Sequence, residues 1–538
     1  MLTLRFSALP AVEARADLPN QAARSCESTP WPPADSTGRH TTTRNHPLGL
    51  AWLAGSGHGD PGSLPLKRET FLTTALLLPA LFATACALNP ATGRRQISLI
   101  GESQEIRMGT EADREISADM GIYQDPALAK AVADMGKRLA AGSERQDLPW
   151  SFKIVDEPVV NAFALPGGYI YVTRGILASL NSHGELAAVL GHEIGHVTAR
   201  HSVNQMSKAQ LAGLGLNLGT ALNPSVARYA GLAGKGSALI FLKFGRDDER
   251  QADDLGLRYM RRAGFTGESM LEVFRMLAAT GGGSSQIPGW LSTHPNPGDR
   301  EERILGQISQ APAALPQDTV WLRLLEGLVF ADDPRQGFFR GNRFLHPDLA
   351  FRIDFPSGWE TANTRSNVSA LHPEGKSVIE LALAPQETPT AAATQFFSAT
   401  EVQRGPSRWT SISGMTTVSA SFRAGKGDEA IAGLVAFVAL GDQVIRLLGA
   451  TPASDWPARE ATMVAALASF AHLTDARDLG VAPFRLTLTP VGAATTLAEF
   501  HRAHPSTVTL DTVARINHLQ PDSRIRRGIL IKRVIGGP

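Results

Sequence analysis

Apolar residues recur at spacings of three and four across residues 102–121 and 126–141, which predicts two amphipathic helices. The pattern then changes. Residues 151–155 and the run Tyr169, Ile170, Tyr171, Val172 are short, β-branched and aromatic, and predict strands, with a turn-rich link over residues 161–168 between them. Ser182-His183-Gly184-Glu185 has the form of a capping box, and Leu186, Val189, Leu190 and Val197 continue it as an apolar stripe at helical spacing. Residues 208–243 are rich in Gly, Ala and Leu, in two patches broken by Asn217, Pro224 and Lys235. Neither patch is an uninterrupted run long enough to cross a bilayer, and the stretch is read as helices packing over the functional site, as in a mobile lid, with a peripheral membrane contact as the alternative. Another helix is expected from about Gly245 through Leu255, Tyr259 and Met260 to Gly264.

Beyond about Pro312 the period becomes that of strands. Residues 344–347, 351–359, 416–422, 431–439 and 443–448 alternate or run β-branched, with helical stretches at 390–397 and 456–470. The stretches 496–500, 510–519 and 525–534 predict a closing strand, helix, helix, strand unit, and no internal repeat is evident. The expected class is α+β: a mainly helical domain with a small sheet over 87–312, a small α+β domain over 313–475, and a βααβ module over 476–538.

Composition narrows this little. The chain has 538 residues, 43% hydrophobic and 19% charged, and 52 basic against 51 acidic residues give a formal charge of +1. No global field points to nucleic acid or an anionic surface, so partners must be argued from sites. Only Cys26 and Cys86 are present, so neither a disulfide framework nor a cysteine zinc site is available. Residues 1–66, rich in Pro, Ser, Thr, Arg and Gly, read as disordered or as a mis-assigned start. Lys67 and Arg68 then precede an apolar run over 71–85 that ends Ala83-Thr84-Ala85-Cys86, the form of a secretory signal. Segment 67–86 resembles a bacterial lipoprotein signal, with Ala83 where Leu is usual, and implies a mature chain beginning at lipidated Cys86. The expected place is the cell envelope, on the periplasmic side, anchored by preference to the outer membrane.

The chemistry centres on His192-Glu193-Ile194-Gly195-His196. Histidines four apart on a helix project from one face, so both imidazoles reach one ion, while Glu193 can face a water polarised by it. A catalytic zinc site needs a third protein ligand. In Gly245-Arg246-Asp247-Asp248-Glu249-Arg250-Gln251-Ala252-Asp253, Glu249 and Asp253 share a face: one can ligate while the other orients a ligand histidine, and spacing alone equally allows a solvated face.

The ordered set 161–168, Gly191-His192-Glu193-Ile194-Gly195-His196, Glu249-Arg250-Gln251-Ala252-Asp253 and Thr293-His294-Pro295 resembles the gluzincins of HtpX, the CAAX prenyl proteases and the BepA-type proteases, metallopeptidase family forty-eight. Gly245 stands where that family usually has Ser. The resemblance implies one Zn2+ held by His192, His196 and Glu249, with Glu193 as catalytic base and Asp253 behind the ligands. It also brings His294 to the active site, either to stabilise the oxyanion or to fill the open zinc position. The strand Tyr169, Ile170, Tyr171, Val172 is expected as an edge to which an extended peptide adds, a buried core strand being the alternative.

Residues 313–475 resemble the Mog-type or PsbP fold and are assigned to partner or substrate binding. Residues 476–538 resemble a LysM module, which implies contact with peptidoglycan, although the opening turn Val491-Gly492-Ala493-Ala494 is altered. The expected function is a zinc endopeptidase acting on misfolded or stalled envelope proteins, with no nucleic-acid partner. The rival is a non-catalytic envelope chaperone or peptidoglycan-binding protein with a structural zinc site.

Overall fold

The computed structural model describes residues 86–213, 239, 242–280, 289–294, 297–308 and 316–537. The expected N-terminal stretch, the signal segment up to Ala85 and most of the expected lid lie outside these residues.

β1 (Cys86–Leu88) and β2 (Arg95–Ile97) pair as an antiparallel ribbon ahead of α1 (Glu102–Asp119). α2 (Pro126–Ala140) starts where proline at its first positions costs no hydrogen bond, and Asp125 accepts the Leu128 N–H as its cap. Its apolar stripe, Leu128, Val132, Met135 and Leu139, is buried.

β3 (Ser151–Val155), β4 (Ala162–Leu165) and β5 (Tyr169–Thr173) form one sheet in the order β3-β5-β4, with β5 parallel to β3 and antiparallel to β4. This corrects the expectation for Tyr169, Ile170, Tyr171 and Val172. Both ladder edges of β5 are occupied, so it cannot accept another strand. The central position also explains its apolar and aromatic run: Ile170, Tyr171 and Val172 are buried. β4 is the edge strand on the side of the next long helix.

α3 (Arg174–Ser179) leads into that helix, α4 (His183–Thr198). Ser182 Oγ accepts the Glu185 N–H at 3.1 Å, while Glu185 Oε2 reaches back to the N–H of Asn181 rather than of Ser182. Every residue from 184 to 198 is buried, which explains why apolar, small and polar residues share a helix with no solvent face. The helix stops at Arg200, a non-glycine residue at φ 60°, and α5 (His201–Gly213) leaves in a new direction.

α6 (Arg246–Arg262) crosses α4 at close range. A Cβ on Gly195 would meet the Ala252 carbonyl oxygen at 2.7 Å, and one on Gly256 would meet the His192 nitrogen at 2.9 Å, so the missing side chains permit this approach. α7 (Glu268–Thr280), α8 (Trp290–Thr293) and α9 (Pro297–Leu305) close the domain. Among the described residues no helix is long and apolar enough to cross a membrane.

The second region is sheet-rich. β6 (Phe338–Arg340), β7 (Arg343–His346) and β8 (Phe351–Asp354) join β17 (Ala471–His472) in a four-stranded sheet. β9 (Glu360–Asn363), β10 (Asn367–Leu371), β11 (Val378–Ala384), β12 (Val402–Arg404), β14 (Met415–Ala424), β15 (Ile431–Leu440) and β16 (Gln443–Pro452) form an antiparallel sheet ordered β12-β14-β15-β16-β11-β10-β9, with the short β13 (Ser411–Ile412) pairing β14 beside it. Leu434, Ala436 and Val438 of β15 face one core and Val435 and Phe437 another, so this strand is apolar throughout because both faces are covered.

β18 (Arg485–Pro490) and β21 (Leu530–Ile535) pair around the helices 497–503 and 510–516, giving the βααβ order, and the short β19 (Thr495–Thr496) and β20 (Arg524–Ile525) pair between them. The first helix begins at Leu497 after a capping box on Thr496, so residues 496–500 are mostly helix and the opening strand is β18. The protease-side core takes in Trp321, Leu322, Leu486, Ile516 and Val534 and so reaches across residue 312.

Candidate metal centre

α4 and α6 place their polar residues on the faces that meet. His192, His196, Glu249 and His294 bring one ligand atom each to within 4.8 Å of one another, all buried. His192 Nε2 lies 3.0 Å from His196 Nε2 and 3.2 Å from His294 Nδ1, and Glu249 oxygens lie 3.6 Å from His192 Nε2 and 3.5 Å from His196 Nε2. A tetrahedral zinc with bonds of about 2.0–2.1 Å sets its ligand atoms roughly 3.3 Å apart, and these separations bracket that value.

The chemistry of the donors agrees. His192 Nδ1 lies 2.9 Å from Asp253 Oδ1, which as a carboxylate takes its N–H and leaves Nε2 as a lone pair. Asp253 is held in turn by Arg300, whose Nε and Nη2 reach its two oxygens at 2.9 and 2.6 Å, while Nη1 lies 2.8 Å from Glu249 Oε2. Lone pairs of buried imidazoles converging with a carboxylate repel unless a cation lies between them. The residues fit zinc.

Electrostatics follow from burial. Glu193 is fully buried, and neither carboxyl oxygen has a hydrogen-bond partner among the described residues. Burial pushes its pKa up to about 7. His192 is pushed down to about 3 by burial and then by the Arg300 charge, which keeps its ring neutral as a ligand must be. Burial alone would raise Glu249, but His294, His196 and His192 outweigh it and hold the carboxyl well below its usual range. Asp253 is likewise held down against burial by Arg300 and His192.

Of the residues singled out from sequence, His192, Glu193, His196, Glu249, Asp253 and His294 come together; Tyr169, Ile170, Tyr171 and Val172 stand behind β4, and Cys86 begins β1. His294 stacks on Trp290 with ring centroids 4.4 Å apart and lies 5.5 Å from Phe244. Arg300, His201, Gln251, Trp290 and Phe244 were not anticipated. Arg300 sits in Asp299-Arg300-Glu301-Glu302-Arg303, which reads as a solvated charged helix, and His201 is five residues past His196, off its face in any continuous helix.

The profile of peptidase family M48 matches residues 126–308, the span that holds every one of these ligands. The chain is similar to that family over these residues. It is 30% identical over 259 residues to the beta-barrel assembly-enhancing protease of Yersinia pestis, 46% of this chain and 53% of that protein. It is 29% identical over 232 residues to the mitochondrial metalloendopeptidase OMA1 of Schizosaccharomyces pombe, 41% of this chain and 66% of that protein. The chain thus spans about half to two thirds of the length of these curated relatives. Among solved structures, the chain is similar to cyanobacterial PsbP from Synechocystis sp. PCC 6803, with a TM-score of 0.21 and 15% identity over 24% of this chain and 91% of that one. Within residues 126–308, the convergent donors of α4 and α6 are compatible with one zinc ion.

Proposed function

We propose that this chain is a zinc-dependent endopeptidase in which His192, His196 and Glu249 hold the ion and Glu193 serves as general base. The observation that carries this is Glu193: a fully buried carboxyl without a hydrogen-bond partner among the described residues, next in sequence to a ligand histidine, with a pKa raised to about 7. A structural metal site has no use for such a group. Bound zinc supplies Lewis acidity at the scissile carbonyl and makes water acidic enough to ionise near neutral pH.

The protein's own part is then positional. As the water oxygen bonds to the carbonyl carbon, Glu193 accepts the water proton; as the C–N bond breaks, Glu193 returns that proton to the leaving amine. Asp253 keeps the His192 proton on Nδ1 and Arg300 keeps Asp253 in place. The substrate strand is assigned to β4, whose outer ladder edge pairs with no strand among the described residues, whereas both edges of β5 are taken.

The setting is also a proposal. The relatives named as beta-barrel assembly-enhancing proteases support an envelope protein acting on polypeptides, such as misfolded or stalled envelope proteins, while other relatives are mitochondrial. The basic and apolar segment ending at Cys86 supports a lipid anchor, and the βααβ order of the last module supports a LysM-like contact with peptidoglycan.

The decisive experiment is Glu193→Gln in the full chain. Zinc content and melting temperature should match wild type, and cleavage of casein should fall by about three to four orders of magnitude, as expected for loss of a general base. Equal cleavage by both forms would sink the mechanism.

A further inference from the structure

A ligand histidine presents a lone pair to a metal only if its other nitrogen keeps the proton, and the partner on that far side decides this. For His192 the partner is Asp253. His196 has no carboxylate there. Its Nδ1 faces Nδ1 of His201 at 2.9 Å, and Nε2 of His201 faces Oε1 of Gln251 at 2.9 Å.

We propose that Gln251 and His201 form a neutral relay that fixes the tautomer of His196, so that its Nε2 lone pair points at the ligand cluster. This rests on the zinc reading above. The amide oxygen of Gln251 only accepts, so Nε2 of His201 carries that ring's N–H. A neutral imidazole has one N–H, which leaves Nδ1 of His201 as an acceptor. The proton between the two Nδ1 atoms therefore belongs to His196, and Nε2 of His196 is bare.

The backbone is shaped to build this pair. On an unbroken helix a residue five positions on lies about 140° round from His196, facing away from it. Arg200 at φ 60° ends α4 and turns His201 back onto His196, and that turn is pinned by the Arg200 guanidinium on Glu105 at 2.9 Å and on the Ile100 carbonyl at 2.7 Å. Both rings are buried, and Phe244 lies 4.0 Å from the His196 ring. The nearest charge to His201 is Asp248, whose Oδ1 is 3.7 Å from Nε2, beyond hydrogen-bond reach. Gln251 stands two residues from Glu249 on α6, so one helix supplies a ligand and the end of the relay that orients another.

The relay makes His201 and Gln251 positioning residues, and Zn2+ affinity is the readout. With the purified full chain and Zn2+ competed against a chromophoric chelator, His201→Phe and Gln251→Leu should each weaken binding by about 10- to 100-fold. Gln251→Glu keeps an acceptor facing His201 and should bind at least as tightly as wild type. Gln251 is only half-buried, so Gln251→Leu decides the matter if His201→Phe does not fold. Wild-type affinity in Gln251→Leu, or equal weakening in Gln251→Glu and Gln251→Leu, overturns the relay while leaving the zinc reading intact. A wild-type chain that binds no Zn2+ overturns both.

Discussion

His294 is held on three sides at once. Its ring stacks on Trp290, its Nδ1 lies 2.9 Å from Glu249 Oε1 and 3.2 Å from His192 Nε2, and its Nε2 lies 3.7 Å from Glu193. A tetrahedral ion has four positions, and on the proposed reading His192, His196 and Glu249 would account for three. With His294 at the fourth, no position would be left for water or a carbonyl. Its turn is also tied close to β4, the proposed substrate strand: the Trp290 N–H donates to the carbonyl of Val160, just ahead of β4. This arrangement favours a gate over an oxyanion donor. His294→Ala should raise casein cleavage several-fold while zinc stays bound by the remaining three ligands. A collapse of cleavage with zinc retained would reassign His294 to the transition state.

The crossing of α4 and α6 turns these residues into a site. Its seam is Gly191, Gly195, Ala252 and Gly256, and the missing side chains let Glu249 and Asp253 reach His192 and His196 across the gap. Gly195→Ala puts a Cβ 2.7 Å from the Ala252 carbonyl oxygen, backbone against backbone, with no flexible group to yield. The helices must part. We expect a loss of about 1–3 kcal/mol of stability, as for overpacking generally, and weaker Zn2+ binding because α6 carries Glu249. Thermal melts and chelator competition check both effects, and an unchanged pair of values would show that the crossing tolerates a methyl.

At this scale it is also clear what local sequence could carry. The helix at 183–198, its Ser182 cap and its spaced histidines are local facts, set by residues within a turn or two of one another. Glu249 was reached only through its order among four motifs. The edge assignment of Tyr169, Ile170, Tyr171 and Val172 gave way to its alternative, a core strand, because strand order depends on pairing between distant segments, and an apolar strand looks the same in sequence at the centre of a sheet or at a buried edge. Arg300 and His201 were illegible for a related reason. One lies in a charge-rich helix that happens to pack inward, and the other comes into line only through the backbone reversal at Arg200.

In the whole molecule, the last module grips the link between α3 and α4. Lys532 of β21, fully buried, donates to the carbonyls of Ala178 at 2.7 Å and Leu180 at 3.1 Å; Asn181 Nδ2 donates to the Ile516 carbonyl; His518 Nε2 donates to Ser179 O at 2.9 Å. The start of the metal-binding helix is therefore fixed partly by residues more than 300 positions away, and acid should loosen that grip. Burial, then the Lys532 charge, pushes His518 down to about 4, whereas the unfolded ring titrates at about 6.5. The unfolded chain thus takes up the proton first. The contribution is complete above about pH 6.5 and is lost as pH falls towards 4, by on the order of 3 kcal/mol at most. Glu185, 3.9 Å from His518 and raised to about 7 by burial, titrates in an overlapping window with the opposite sign, because its folded form binds the proton more tightly. Wild type alone will therefore not isolate His518, the more so because Glu157, Glu193, His192 and His201 are shifted as well. The informative quantity is the difference in melting temperature between wild type and His518→Gln, measured on the full chain. That difference should favour wild type at pH 7 and shrink as pH falls to 4.5, and a constant difference would mean that His518 docks the module by shape rather than by its neutral ring.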